Sequence, residues 1–154
     1  MGETGSRKNA VPPVSARPSV SSVVAIGRAM KTVDRDMIYV ALAGSQMEKA
    51  AQELGLPLAR EGFCDRLYDD DGNLTSRKVP GAVLHDADEI RDRVVRMVGD
   101  EEIISRTGKR LKVRLDTLCL HGDEPSAVIA ARAVRQGLEA AGVKIVTLPE
   151  MSLG

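Results

Sequence analysis

Residues 115–128 read Leu-Asp-Thr-Leu-Cys-Leu-His-Gly-Asp-Glu-Pro-Ser-Ala-Val, and this stretch decides the fold class. The apolar run Leu118–Leu120 stops at His121-Gly122-Asp123. A helical pattern then opens at Pro125, whose missing N–H suits the first helical position. A strand that turns tightly into a helix is the βα unit of an α/β protein. Its turn lies at the carboxyl end of the sheet, where ligands bind. Extended backbone through the turn sets Cys119, His121 and Asp123 on one face, so an imidazole and a carboxylate converge there.

Upstream, helix and strand signals alternate. Val23, Ile26, Met30 and Val33 follow helical spacing, and Met37–Ala43 is a β-rich run. Ser45-Gln46-Met47-Glu48 has the form of a capping box, opening a helix that stops at Gly55. Leu56–Phe63 reads as the next strand, and Asp69-Asp70-Asp71-Gly72-Asn73 as a loop or hairpin tip. Asp86 is placed to cap a helix from Ala87 to Val98 that buries Ile90, Val94 and Met97. Ile103–Ser105 and Lys109–Arg114 flank Thr107-Gly108, a hairpin signal. Pro125–Ala141 is the last long helix, ended by Gly142, and Val143–Leu148 is expected to close as a strand. Alternating strands and helices imply a parallel sheet or a barrel sector.

The first 22 residues differ in kind. They hold Pro12, Pro13, Pro18 and many serines without any period, so 1–22 is expected to be a disordered leader and 23–150 the domain. Met1-Gly2-Glu3-Thr4-Gly5-Ser6 formally fits an N-myristoylation pattern, a short match read as accidental.

Composition narrows the function classes. Lys plus Arg equals Asp plus Glu at 22 each, so there is no basic field to hold a polyanion, and three aromatic side chains offer little stacking surface. Nucleic acid is excluded as the expected partner. No apolar run approaches the roughly 20 residues of a membrane span, and no signal-peptide core is seen. Two cysteines make no disulfide framework, which points to a reduced, cytoplasmic setting.

The run Cys119-Leu120-His121-Gly122-Asp123-Glu124-Pro125-Ser126-Ala127 resembles the C-terminal signature of the LamB/YcsF family, which shows Cys-Val-His-Gly-Asp-Thr-Pro-Gly-Ala. A second block, Arg60-Glu61-Gly62-Phe63-Cys64-Asp65-Arg66-Leu67-Tyr68, is similar to the family's Glu-x-Phe-Ala-Asp-Arg-x-Tyr. Asp71-Gly72-Asn73-Leu74, Arg77, Pro80-Gly81-Ala82-Val83 and His85-Asp86 follow in family order. The resemblance implies a distorted (β/α) barrel of the glycoside hydrolase/deacetylase-like type. Such a barrel takes about 250 residues, whereas this chain has 154. Three polar motifs of the family's N-terminal half find no counterpart, so the expectation is a partial barrel with N-terminal strands missing. Half a barrel exposes strand edges, and pairing with a separate chain or homo-oligomerisation would cover them.

The resemblance further implies ATP-dependent opening of the lactam of 5-oxo-L-proline to L-glutamate, this chain acting as the A component of 5-oxoprolinase beside partner B and C subunits. In that reading the lactam oxygen is activated by ATP and water attacks. Asp123 serves as base and His121 as proton donor or relay, with Glu61 and Asp65 as further catalytic carboxylates. Arg66 is expected to hold the substrate carboxylate through its fork. No glycine-rich phosphate loop is present, so ATP is expected to be bound through partner subunits or the missing half.

The blander readings are that Asp123 or Glu124 caps the last helix, that Glu61 and Arg66 are surface or ion-paired groups, and that Arg66 locks Asp65. His85 reads as a loop residue, and Cys64 and Cys119 as packed, inert side chains. His121 with carboxylates suits Zn²⁺ or Mn²⁺, yet no metal-ligand spacing such as His-x-x-x-His appears, so no metal is assigned. The alternatives to the enzyme are a non-catalytic remnant or interaction module, and a metal-dependent deacetylase-like hydrolase.

Overall fold

A computed structural model describes residues 20–123 and 125–153 of the chain. Most of the predicted leader and its myristoylation-like start lie outside these residues. The described part opens with helix α1, Val20–Val33, so helix begins inside the segment expected to be a leader. Of its predicted stripe, Val23 is buried and Met30 is half-buried. Ile26 and Val33 are 48% and 78% exposed, so only half of that stripe meets the core.

Strand β1 (Tyr39–Leu42), helix α2 (Gln46–Glu53) and strand β2 (Leu58–Phe63) form the first parallel unit, with Tyr39 level with Leu58 and Leu42 level with Glu61. Ser45 caps α2 by accepting from the N–H groups of Met47 and Glu48. Glu48 reaches back to the N–H of Gly44 at 2.6 Å, one residue before the position a standard capping box uses. Helix α3 (Ala87–Gly99) is capped by Asp86, which accepts from the N–H of Glu89 at 2.8 Å, and it buries Ile90, Val94 and Met97 as its spacing predicts. Strands β3 (Glu102–Ile104) and β4 (Arg110–Lys112) pair antiparallel. Gly108 turns between them at φ 92°, a conformation that a side chain would strain. Strand β5 (Thr117–Cys119) adds to the other side of β2, in parallel, giving the order β1-β2-β5. Helix α4 spans Ala127–Ala140.

The register assigns the two faces. Tyr39, Ala41 and Leu58 pack with Leu56 of the preceding loop and Ala51 of α2, flanked by Met30 of α1. Cys64, Leu118 and Leu120 face Ile90 and Val94 of α3 and Ala130, Val134 and Leu138 of α4. The helices therefore gather on one face of the sheet, with α3 also reaching the other side through Met97. The other face carries, by alternation, Glu61 and Phe63 from β2 and Thr117 and Cys119 from β5. Phe63 and Leu42 pack toward the β3–β4 side, around Tyr68, Met97 and Ile103. The architecture is thus α/β with a three-stranded parallel sheet and four helices.

Two sequence expectations are corrected. Val143–Leu148 is not a strand: residues 143–147 have no regular structure, and a single 3₁₀ turn follows at Leu148–Glu150. The segment is apolar and lines a hollow of about 540 Å³ with Leu118, Leu120, Val134 and Leu138, but no ladder ties it to β5. Side-chain burial without backbone pairing does not make a strand. Pro125 is not the first residue of α4 either. It sits in a turn, and Ser126 occupies the N-cap without a side-chain cap bond. At the other end Gly142, at φ 79°, terminates the helix as expected.

Candidate active site

Strands β2 and β5 end together, with Phe63 level with Cys119. Two residues further along each chain, on the same face, stand Asp65 and His121. His121 Nδ1 lies 2.9 and 2.8 Å from the two carboxylate oxygens of Asp65, and the His121 backbone N–H points at the same carboxylate at 3.4 Å. A carboxylate that only accepts makes Nδ1 the donor of this contact. Asp65 is 5% exposed while the His121 side chain is 25% exposed, so a buried carboxyl group orients a partly open imidazole. The Phe63 ring, with its centroid 5.7 Å from that of the imidazole, forms one wall.

The backbone that presents Asp65 is held from three sides. The N–H of Cys64 donates to Cys119 O at 2.8 Å, extending the sheet by one bond. Arg93 of α3 donates to the carbonyls of Phe63 and Cys64 at 3.2 and 2.9 Å. Its guanidinium also lies 5.6 Å from the centre of the Tyr68 ring. The N–H of Phe63 donates to the Tyr68 hydroxyl at 2.7 Å. Burial pushes the Cys64 thiol up to about 12, with the Asp65 charge adding to it. Burial likewise pushes the Tyr68 phenol up to about 12, against the opposing pull of the Phe63 N–H. Both are neutral posts.

After Asp65 the chain makes a folded excursion through residues 66–84. It is closed by the isolated bridges Arg66–Val83 and Tyr68–Leu74 and by a bond from Leu84 N–H to Asp65 O at 2.8 Å. Its outer limb brings Arg77 back over the strand ends. There Nη1 meets Asp123 Oδ2 at 3.3 Å, with both side chains at least half exposed. The hydrogen bond from Arg77 holds the Asp123 carboxyl below its ordinary value, helped by a backbone N–H, Arg77's charge and His121. Asp65 and Asp123 line two adjoining spaces: a narrow crevice with His121, and a cleft of about 270 Å³ bordered by Arg77, Lys78 and His85. The 540 Å³ hollow behind β5 has none of these groups.

The site residues expected from sequence fall into three groups. His121, Asp123 and Asp65 come together. Glu61 does not join them: it stands four residues before Asp65, on the same face below Phe63, and its carboxylate makes no hydrogen bond or ion pair among the described residues. Arg66 turns into the excursion instead of the cleft. It is 7% exposed, and its Nη2 donates to the Thr75 carbonyl at 2.6 Å. Burial lowers its affinity for the proton, and the nearby charge of Arg77 adds to the effect. Asp123 does not cap α4, and Glu124 lies outside the described residues.

The model of the LamB/YcsF family matches residues 15–153. The chain belongs to the LamB/YcsF family. A 5-oxoprolinase A subunit from Rhodopseudomonas palustris is 57% identical over 121 residues, which are 79% of this chain and 48% of that protein. The second 5-oxoprolinase A subunit of Bradyrhizobium diazoefficiens is 54% identical over 79% of this chain and 47% of its own length. The crystal structure of a lactam utilization protein from Thermus thermophilus superposes with a TM-score of 0.74 at 37% identity. It covers 82% of this chain and 50% of that one. This LamB/YcsF chain thus spans about half the length of the curated relatives it matches.

Two groups at the LamB/YcsF site were not singled out from sequence for a site role. Arg93 stands at the i+3 position of the Ile90, Val94, Met97 stripe, and a charged residue at a core position of an amphipathic helix is the signal that marks it. Tyr68 lies in the second motif, but only the folded excursion places its hydroxyl at the end of β2. Among the described residues, no three His, Cys, Asp or Glu side chains are grouped to hold a metal ion, and no helix is long and apolar enough to cross a membrane.

Proposed function

We propose that this chain serves as the A component of 5-oxoprolinase, that its sheet is a sector of a (β/α) barrel, and that Asp65 and His121 carry the proton transfers of lactam opening. The observation that supports this reading is the Asp65–His121 pair at the carboxyl ends of two adjacent parallel strands. Water attacks the lactam carbonyl carbon as His121 Nε2 takes its proton, and Asp65 stabilises the imidazolium through Nδ1–H. The ring C–N bond then breaks with its electron pair remaining on nitrogen, and His121 returns the proton there, giving the amine of glutamate. The His121 imidazole is oriented by a buried carboxylate whereas Asp123 has only an exposed contact with Arg77, so this proposal gives the base role to His121 in place of Asp123.

In this proposal ATP, bound outside the described residues, would drive the ring opening by its hydrolysis to ADP and phosphate. The sequence holds no glycine-rich phosphate loop, so no step is routed through ATP on this chain. The relatives are each named as one lettered subunit of 5-oxoprolinase, which implies companions, the B and C subunits in this proposal.

A second reading, an interaction module without its own turnover, has the half-length match behind it. The test mixes the 154-residue chain with the remaining half of the fold and the partner subunits, and assays ATP-coupled glutamate release from 5-oxoproline. Release is expected only with every component present, and Asp65→Asn is expected to lower it about 100-fold or more by releasing the imidazole tautomer. Full release with Asp65→Asn overturns the proposed roles. A silent mixture, with an intact relative active beside it, favours the interaction module.

A further inference from the structure

We infer that the cleft between the outer limb of the excursion and the 121–123 turn is a carboxylate-binding site, with Arg77 as its recognition residue and Asp123 as the group that holds Arg77 in place until a ligand arrives. The inference rests on the lactam reading above and names how that site selects its substrate.

Arg77 is the side chain there with the right freedom. Arg66, expected from sequence to hold a substrate carboxylate, is buried and turned toward the Thr75 carbonyl, with its Nε unpartnered among the described residues. The Arg77 guanidinium is 50% exposed, touches Asp123 through one nitrogen only, and does so at 3.3 Å. A single long contact between exposed charges contributes little. A free carboxylate meeting the guanidinium fork with two parallel bonds makes a stronger and better-aligned pair, so exchange of Asp123 for ligand is favourable.

The backbone behind Arg77 is firm. The Val79 N–H bonds Ser76 O at 2.9 Å, the Ala82 N–H bonds Val79 O at 3.1 Å, and the Leu67 N–H bonds Ala82 O at 3.0 Å. Lys78 lies on the same rim and adds positive potential. Asp65 and Asp123 border both this cleft and the crevice with His121, so an acid seated on Arg77 directs its adjacent ring toward the imidazole. At about 270 Å³ the cleft lies below the size that takes drug-sized ligands. The ligand class that fits the cleft is a small monocarboxylic acid, and the lactam reading makes the adjacent ring a five-membered one.

The test titrates three probes into the full 154-residue chain by calorimetry: 5-oxo-L-proline, 2-pyrrolidinone (the same lactam without its acid) and tetrahydrofuran-2-carboxylate (the same acid without its lactam). Each is repeated with Arg77→Gln, Arg77→Lys and Asp123→Asn. Far-UV circular dichroism confirms that these exposed changes leave the fold intact. Arg77→Gln is expected to weaken both acids about 10- to 100-fold and to leave 2-pyrrolidinone unchanged. Arg77→Lys is expected to recover part of the loss, and Asp123→Asn, which frees the guanidinium, to tighten both acids.

Acid binding that is insensitive to Arg77→Gln overturns the inference while leaving the lactam reading in place. Equal affinity for the two acids, both lost with Arg77→Gln, keeps the inference and sinks the lactam reading. No binding of either acid to the wild-type chain overturns the inference.

Discussion

Tyr68→Phe removes one oxygen atom from the interior and nothing else. Successive N–H groups of a strand point to opposite sides. The Cys64 N–H goes to Cys119 on β5, so the Phe63 N–H points the other way, past the end of β1 at Leu42. The Tyr68 hydroxyl meets it there at 2.7 Å, on a residue that is 0% exposed. Phenylalanine keeps the ring, its volume and its contact with Arg93. What remains is a backbone donor in the interior with no acceptor, which costs about 1–3 kcal/mol. With a urea dependence of about 1–3 kcal/mol/M, a loss near 2 kcal/mol lowers the unfolding midpoint by roughly 1 M at an unchanged slope. The assay is equilibrium unfolding followed by circular dichroism, with amide exchange of Phe63 measured alongside. A midpoint within roughly 0.2 M of wild type, together with undiminished protection of the Phe63 amide, would refute the idea that this hydroxyl closes the end of β2.

Three more outcomes are expected. Cys64 and Tyr68 both have folded-state values near 12, above their ordinary 9.0 and 10.0, so the stability they confer is complete below about pH 9 and is lost as pH rises. The slope is about 1.4 kcal/mol per pH unit per group, beginning with Cys64 and doubling once Tyr68 joins. Unfolding midpoints between about pH 8 and 11 check this, and Cys64→Ser is expected to delay the onset by about one unit. Ser45→Ala, which removes the cap of α2, is expected to cost about 1 kcal/mol in urea unfolding. Ile90→Ala empties a position that is 2% exposed between α3 and α4, and a loss of about 2–5 kcal/mol is expected in the same experiment.

Local chemistry made much of this molecule legible from sequence. Ser45 and Asp86 cap helices because their side chains satisfy donors a few residues away, and such spacing is written in the chain. The stripe of Ile90, Val94 and Met97 needs only the helical period. Gly108 and Gly142 needed only their backbone freedom. Non-local pairing is where sequence reasoning failed. The run Val143–Leu148 has the composition of a strand, but a strand exists only where a neighbour accepts its ladder. Asp65 and His121 were each singled out, but in separate groups, Asp65 with Glu61 and Arg66, His121 with Asp123. Their 56-residue separation is closed by the register of β2 on β5, which neither motif states. Arg66 failed for a related reason. A guanidinium next to a candidate site carboxylate looks like a substrate clamp until the Arg66–Val83 bridge turns it inward.

The measurement that bears most directly on the account is the turnover of an intact relative changed at the position equivalent to His121. The Rhodopseudomonas palustris relative, 57% identical over the shared region, offers a complete chain for this purpose. With its companion subunits and ATP, His→Ala at that position is expected to lower glutamate release from 5-oxoproline by about 100- to 10,000-fold. Binding of the carboxylate end of the substrate should be left nearly unchanged. Turnover that survives the change at close to the wild-type rate would contradict the assignment of His121 as the proton carrier.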